Sequence, residues 1–276
     1  MNKIRIVYAG LDNNTFFLIS KEPKFTLTGA GYNEDLLQRS FNPINHIGRF
    51  LYLLRSADKL RVLENVLRTL WTATSFFSTG ILRKNQNYLR VLSAKKIKIV
   101  DIDSQIGVKY LHANADLLLI NAWGMLGSEV ISACKYGTFN VHPSLLPLYR
   151  GSVPTLWALK NNDAQTGVSY MIIDDSMDGG LIINQHIFDL ERNDNWYSIE
   201  LKVAEIIKNT LVDDVCRYIQ GELIPYAQDE QLHSKTASYN SYRRIDWETE
   251  NGIDIYNKIN FYLSKIHQVL NNLLFN

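Results

Sequence analysis

Residues 139–151 read FNVHPSLLPLYRG, and thirty-six positions after the histidine stands Asp178 in MDGG. Asn140 and His142 are two apart, so on a strand both side chains leave the same face. Pro143 disfavours helical geometry at His142 and sets the pair at the end of an extended segment. Asn, His and Asp are the side-chain types that acyl transfer to an amine requires. An imidazole takes the proton of the attacking amine, a carboxylate orients that imidazole and raises its basicity, and a carboxamide steadies the developing oxyanion. Taken singly, the same residues have plainer uses. Asn140 and His142 can cap a loop through backbone bonds, and Asp178 with Gly179 can make a turn.

To converge, these side chains must be carried by a sheet. Short β-branched apolar runs at 4–9, 25–30, 97–102, 116–122 and 138–141 alternate with segments able to hold helices. That pattern predicts an α/β fold with an open, mostly parallel twisted sheet, Rossmann-like and buried on both faces. Open sheets of this kind bind ligands outside the carboxyl ends of their strands, where Asn140 and His142 lie. Between about 42 and 89 a helical stretch with Leu60, Leu63, Leu67, Leu70 and Trp71 at 3–4 spacing reads as an insertion. After the fifth strand, Pro154 opens a helix to about residue 160. Two further strands, 166–173 and 180–188, are joined through the Asp178–Gly179 pair that tight turns favour. An amphipathic helix follows over 197–220, begun near Asp194 or Asn195 and stopped by Gly221.

We divide the chain into a catalytic core over 1–190, with the insertion at 42–89, and a helical and hairpin extension over 191–276 that is expected to form a dimer contact. In that extension Tyr256, Ile259, Leu263, Ile266, Leu270 and Leu273 form a seam too short to specify a coiled coil alone. It docks either on its own domain or across a dimer.

The 276 residues, 46% hydrophobic and 21% charged, suit one mid-sized domain with an appendage. No apolar run is long enough to span a bilayer, and MNKIRIVYAG reads as a strand rather than a secretion signal, so no membrane span and a cytoplasmic location are expected. Cys134 and Cys216, each in a predicted helix, read as core thiols. The net charge of +1 conceals an asymmetry: residues 36–98 carry twelve Lys or Arg against Asp58 and Glu64, a net of +10, leaving about −9 elsewhere. Such a stretch faces a phosphorylated ligand, RNA or an anionic membrane, or is a solvated face paired with the acidic remainder. His46, His112, His186, His233 and His267 are scattered, so no metal is expected. Gly29 to Gly31 lacks the third glycine of a dinucleotide fingerprint.

The run from FNVHPSLLPLYRG through MDGGLI resembles the core of the folate-dependent formyltransferases, which act on glycinamide ribonucleotide, methionyl-tRNA or nucleotide sugars. That family pairs an N-x-H-x-S-L-L-P motif with an Asp thirty-six residues after its His, and both are present here. The likeness is close over 115–190 and looser at the first strand and at RRIDW, 243–247. It implies that Asn140 hydrogen-bonds the formyl oxygen, that His142 is the general base, and that Asp178 holds the His and bound water. It implies N10-formyltetrahydrofolate as formyl donor, with Ala122, Trp123, Gly124, Met125, Ile173, Asp174 and Asp175 around its pterin.

Among the acceptors, glycinamide enzymes resemble HPSLLP but continue differently where Leu148, Tyr149, Arg150 and Gly151 stand. Methionyl-tRNA enzymes share Arg150, Gly151 and Pro154, yet carry a barrel domain for which the twenty-nine residues after Trp247 are too few. The Tyr-Arg-Gly and Pro-Thr-Leu-Trp-Ala sequences are most similar to nucleotide-sugar N-formyltransferases. That resemblance implies a dTDP-linked 3- or 4-amino-dideoxyhexose for surface polysaccharide such as O-antigen, a homodimer, and no nucleic-acid partner. Tyr149, Arg150 and Gly151 are then substrate-side residues. Arg150 meets acidic oxygens of substrate or protein, and Trp196 with Tyr197 either stacks on the base or belongs to the core. A catalytically silent relative that binds folate or a sugar nucleotide is the alternative of a different class.

Overall fold

The computed structural model describes residues 3–10, 13–32, 91, 94–121 and 124–232. The helical insertion at 42–89 and the seam from 253 onward lie outside the described residues. Among the described residues, five parallel strands come first: β1 (Ile4–Gly10), β2 (Phe25–Tyr32), β3 (Lys98–Asp101), β4 (Leu117–Asn121) and β5 (Thr138–His142). Helices α1 (Asn13–Lys21), α2 (Gln105–Asn114) and α3 (Ser128–Ile131) connect them. Then α4 (Pro154–Lys160) leads into the antiparallel strands β6 (Gln165–Ile172) and β7 (Leu181–Asp189), and α5 (Trp196–Ile219) closes the series. The order across the sheet is β3-β2-β1-β4-β5-β6-β7. The expected open, mostly parallel sheet is borne out.

Alternation along the strands makes two cores. Ile6, Tyr8, Leu117, Leu119, Phe139 and Val141 pack on one face with Phe16 and Ile19 of α1 and with Ile199, Val203, Ile207, Leu211 and Val215 of α5. Val7, Ala9, Leu118 and Ile120 pack on the other face with Leu111 of α2 and Val130 of α3. The α5 residues step by four, one stripe of a helix. Its start is fixed by a capping box, in which Asn195 accepts from the Ser198 N–H at 3.1 Å and Ser198 Oγ accepts from the Asn195 N–H at 3.0 Å. At its end Gly221 takes φ +77°, as helix-terminating glycines do. Because α5 packs its apolar stripe over one sheet face, the packed core runs past residue 190 to the end of this helix.

Both cysteines are buried, but Cys134 lies in the turn after α3 rather than inside a helix. Burial pushes its thiol up to about 12, so it is no nucleophile at neutral pH.

At the entry ends of β1 and β4, Arg5 grips Asp116 through its backbone N–H (2.8 Å), Nε (3.3 Å) and Nη2 (2.8 Å). The Arg5 side chain holds the Asp116 carboxyl below its ordinary value of 3.8. A depressed carboxylate contributes stability above its unfolded-state pKa and loses it as pH falls through the folded-state value. Asp116→Asn is therefore expected to lower the urea midpoint at pH 7 and to shrink the difference between the pH 7 and pH 3 midpoints. The effect is modest, because the Arg5 side chain is 45% exposed.

Candidate active site

β5 reads TFNVH and is buried throughout. Phe139 and Val141 belong to the α5-covered core, which sends Asn140 and His142 to the opposite face at the carboxyl end of the strand. They are 7% and 4% exposed. That a carboxamide and an imidazole sit so deep requires compensation. For His142 it comes from the loop 143–151, whose Tyr149 carbonyl lies 3.0 Å from Nε2. A carbonyl only accepts, so Nε2 carries the proton and, in the neutral ring, the basic lone pair is on Nδ1. No described residue hydrogen-bonds the Asn140 carboxamide, which leaves it available to a ligand.

The loop that orients the ring is strained. Tyr149, Gly151 and Val153 take φ of +59°, +98° and +58°. Glycine accepts this readily, whereas for β-branched Val153 it costs on the order of 1–3 kcal/mol. Surrounding bonds hold the loop in place. Ser144 Oγ donates to the Leu148 carbonyl at 2.7 Å and Ser169 Oγ to the Ser144 carbonyl at 2.6 Å, while the Leu146 N–H donates to Ser169 Oγ at 3.0 Å. The Tyr149 hydroxyl turns away from His142, donating to Asp163 at 2.6 Å and accepting from Asn161 at 2.9 Å. Burial and then Asp163 push it up to about 12.

Asp178 arrives from the far end of the sheet. β6 is antiparallel to β5 and ends with Ile172 opposite Phe139, three residues short of His142. The connection 173–180 is thus not a tight turn but an eight-residue loop that doubles back. Gly180 permits this, since a Cβ there would stand 2.0 Å from the Ile172 carbonyl oxygen. Asp178 itself adopts φ +50°, a left-handed conformation that Asp tolerates better than most residues. Its Oδ2 accepts the Gly151 N–H at 2.8 Å and lies 3.7 Å from His142 Nδ1. At 3.7 Å the contact is electrostatic rather than a hydrogen bond. The ring is oriented by the Tyr149 carbonyl, and Asp178 faces the nitrogen that gains a proton. The arrangement can accept a proton at Nδ1 and stabilise the resulting cation, while Asn140 offers an amide N–H from the same strand face.

The remaining expected contacts are distributed as follows. Ala122 and Trp123 lie outside the described residues. Gly124 and Met125 are exposed beyond β4. Ile173 donates its N–H to the Thr138 carbonyl at 2.9 Å, and the exposed Asp174 accepts from the Ser176 N–H at 2.8 Å. Asp175 is exposed. The Arg150 guanidinium reaches Gln228 and Glu230 of the segment after α5, residues that the sequence reading did not single out. Trp196 donates to Thr155 Oγ1 at 3.2 Å and packs against the core, the second of its two expected roles. Among the described residues no cluster of metal-ligating side chains occurs, and no helix is long and apolar enough to cross a membrane.

Three comparisons bear on this site. The family model described as formyl transferase matches residues 76–215, about half of the chain. A methionyl-tRNA formyltransferase of Bacillus thuringiensis is 35% identical over 155 residues, which are 55% of this chain and 48% of that protein. The chain spans about half the length of the curated relatives it matches. An N-formyltransferase from Helicobacter canadensis, solved with folinic acid and dTDP-3-aminofucose, has a TM-score of 0.62 at 17% identity, covering 96% of this chain and 82% of the other. A 4-N formyltransferase from Francisella tularensis has a TM-score of 0.58 at 15% identity, covering 93% and 88%. At these identities the two structures show the shared fold.

Proposed function

We propose, from the premise that the chain belongs to the formyl transferase family, that it moves a formyl group from N10-formyltetrahydrofolate to the amino group of a nucleotide-linked amino-dideoxy sugar. The observation that carries the reaction type is the meeting of His142 Nδ1 and Asp178 Oδ2 at 3.7 Å, beside Asn140 on the same strand face. His142 Nδ1 takes the proton as the amine attacks the formyl carbon, Asp178 offsets the positive charge on the ring, and the Asn140 carboxamide donates to the oxyanion. The imidazolium returns the proton to the donor nitrogen as its bond to the formyl carbon breaks. The donor supplies an activated one-carbon acyl group. Gly124, Met125, Ile173, Asp174 and Asp175, with Ala122 and Trp123, are the residues that would surround its pterin.

For the acceptor, the likeness to sugar N-formyltransferases extends over nearly the whole chain, whereas the sequence match to a methionyl-tRNA formyltransferase is confined to 155 residues. The higher identity of that second match, 35%, favours charged initiator tRNA as the competing acceptor. On the sugar reading the product serves surface polysaccharide such as O-antigen, and the enzyme is cytoplasmic and dimeric. Tyr149, Arg150 and Gly151 border the acceptor side.

The test is incubation with formyl-tetrahydrofolate and a panel of dTDP-, UDP- and GDP-amino sugars, with charged initiator tRNA as a parallel arm, read by mass spectrometry. The expected result is replacement of one amine hydrogen by formyl on a dTDP-amino sugar. Formylation of the tRNA alone would overturn the acceptor.

A further inference from the structure

We propose that Gln228 is a positioning residue for Asp178, acting from the segment beyond α5. The proposal rests on the reading of Asn140, His142 and Asp178 as the formyl-transfer centre.

The chain leaves α5 through Gly221 and returns beside β7, where Ile182 and Tyr226 exchange two backbone hydrogen bonds of 2.9 Å each. Two residues farther on, the chain has left the bridge and the Gln228 side chain is buried, 9% exposed. Its carboxamide is saturated. Nε2 donates to the carbonyls of Asp178 and Gly180, both at 2.8 Å, and Oε1 accepts from Arg150 Nε at 3.0 Å and Nη2 at 2.7 Å. Carbonyls only accept and a guanidinium only donates, so the partners fix which end of the amide is which.

This one side chain therefore joins the two loops that build the proton-transfer site. One loop carries Asp178 in a left-handed conformation, and Gln228 holds its backbone on both sides of Gly179. The other loop runs through Arg150, between the Tyr149 carbonyl that orients His142 and the Gly151 N–H that holds the Asp178 carboxylate. Glu230 completes the clamp on Arg150 with contacts of 2.6 and 3.1 Å. Its side chain is 66% exposed, so that ion pair contributes little alone. Buried and fully bonded, Gln228 is the member on which the distance from Asp178 to His142 depends.

Gln228→Glu is the discriminating change. It keeps the length of the side chain and an acceptor for Arg150, but sets an oxygen against two carbonyl oxygens where two N–H donors stood. A displacement of Asp178 by about 1 Å is expected to lower kcat by about 10–100-fold with the KM for the amine little changed. A second variant, Gln228→Ala, gives the same reading where the charged one does not fold. Independently of turnover, ¹⁵N-histidine NMR reports the ring of His142, its signals assigned by their loss in His142→Gln. Both variants are expected to shift them as Asp178→Asn does. Ring signals coincident with those of the unsubstituted protein overturn the proposal, as does a kcat within about twofold of it. Absence of formyl transfer by the unsubstituted protein to every amine tested would sink the functional reading instead, while the NMR comparison still decides whether Gln228 sets Asp178.

Discussion

His142→Gln is expected to lower kcat for formyl transfer by about 10²–10⁴-fold, the range for loss of a positioned general base. Glutamine is the informative replacement because its amide can still donate to the Tyr149 carbonyl, which His142 Nε2 meets at 3.0 Å. Truncation to alanine would instead leave a buried carbonyl without its donor, at about 1–3 kcal/mol, and mix a folding defect with the chemical one. The amide has no basic lone pair to set where Nδ1 stands, so the amine proton has no acceptor. Folate binding, measured by titration of protein fluorescence, is expected to persist, since among the described residues the ring's polar contacts are to Tyr149 and Asp178. A variant that retains turnover within about tenfold would show that the proton leaves by another route. The convergence of three side chains would then be a packing feature of the carboxyl end of β5.

How much of this centre was readable beforehand follows from what kind of atom does the work. Strands, the helix from Pro154 and the start of α5 were legible because residue type controls them: short β-branched apolar runs, a proline at the first helical turn, and Asp194 or Asn195 just before an amphipathic run. Asn140 and His142 were legible for the same reason, two polar residues one strand period apart before a proline. The route of Asp178 was not. The Asp-Gly pair resembles a two-residue turn, and nothing in its letters says that 173–180 folds back over the sheet until the register of β6 against β5 is known. The partner that orients His142 was invisible for a different reason. It is the backbone carbonyl of Tyr149, and backbone atoms carry no signature in a residue sequence. Gln228 was hidden by context: it lies in an aperiodic stretch, where a polar residue reads as surface until its burial is measured. Of the acidic oxygens that Arg150 is read to meet, on substrate or on protein, Glu230 supplies the protein's, while the amide oxygen of Gln228 has no such signature.

Asp178→Asn separates geometry from charge. The amide oxygen can still accept the Gly151 N–H, so the loop keeps its 2.8 Å tether, while the negative charge beside Nδ1 is gone. Two charges 3.7 Å apart attract by about 1 kcal/mol at the dielectric constant of water and about 4 kcal/mol at an effective value near 20. The first corresponds to about fivefold in rate and the second to about a thousandfold. The side chains of His142 and Asp178 are 6% and 19% exposed, which places the pair toward the low-dielectric limit. A fall in kcat of about 10²–10³-fold, with unchanged folate affinity, is the expected result. The double variant Asp178→Asn, Gln228→Glu then tests whether the two residues act in series. If Gln228 works only by placing the Asp178 carboxylate, removing that charge leaves it little to place, and the second substitution adds less than its own separate effect. Independent, multiplying losses would mean that Gln228 supports the site by another path, through Arg150 and the loop that holds His142.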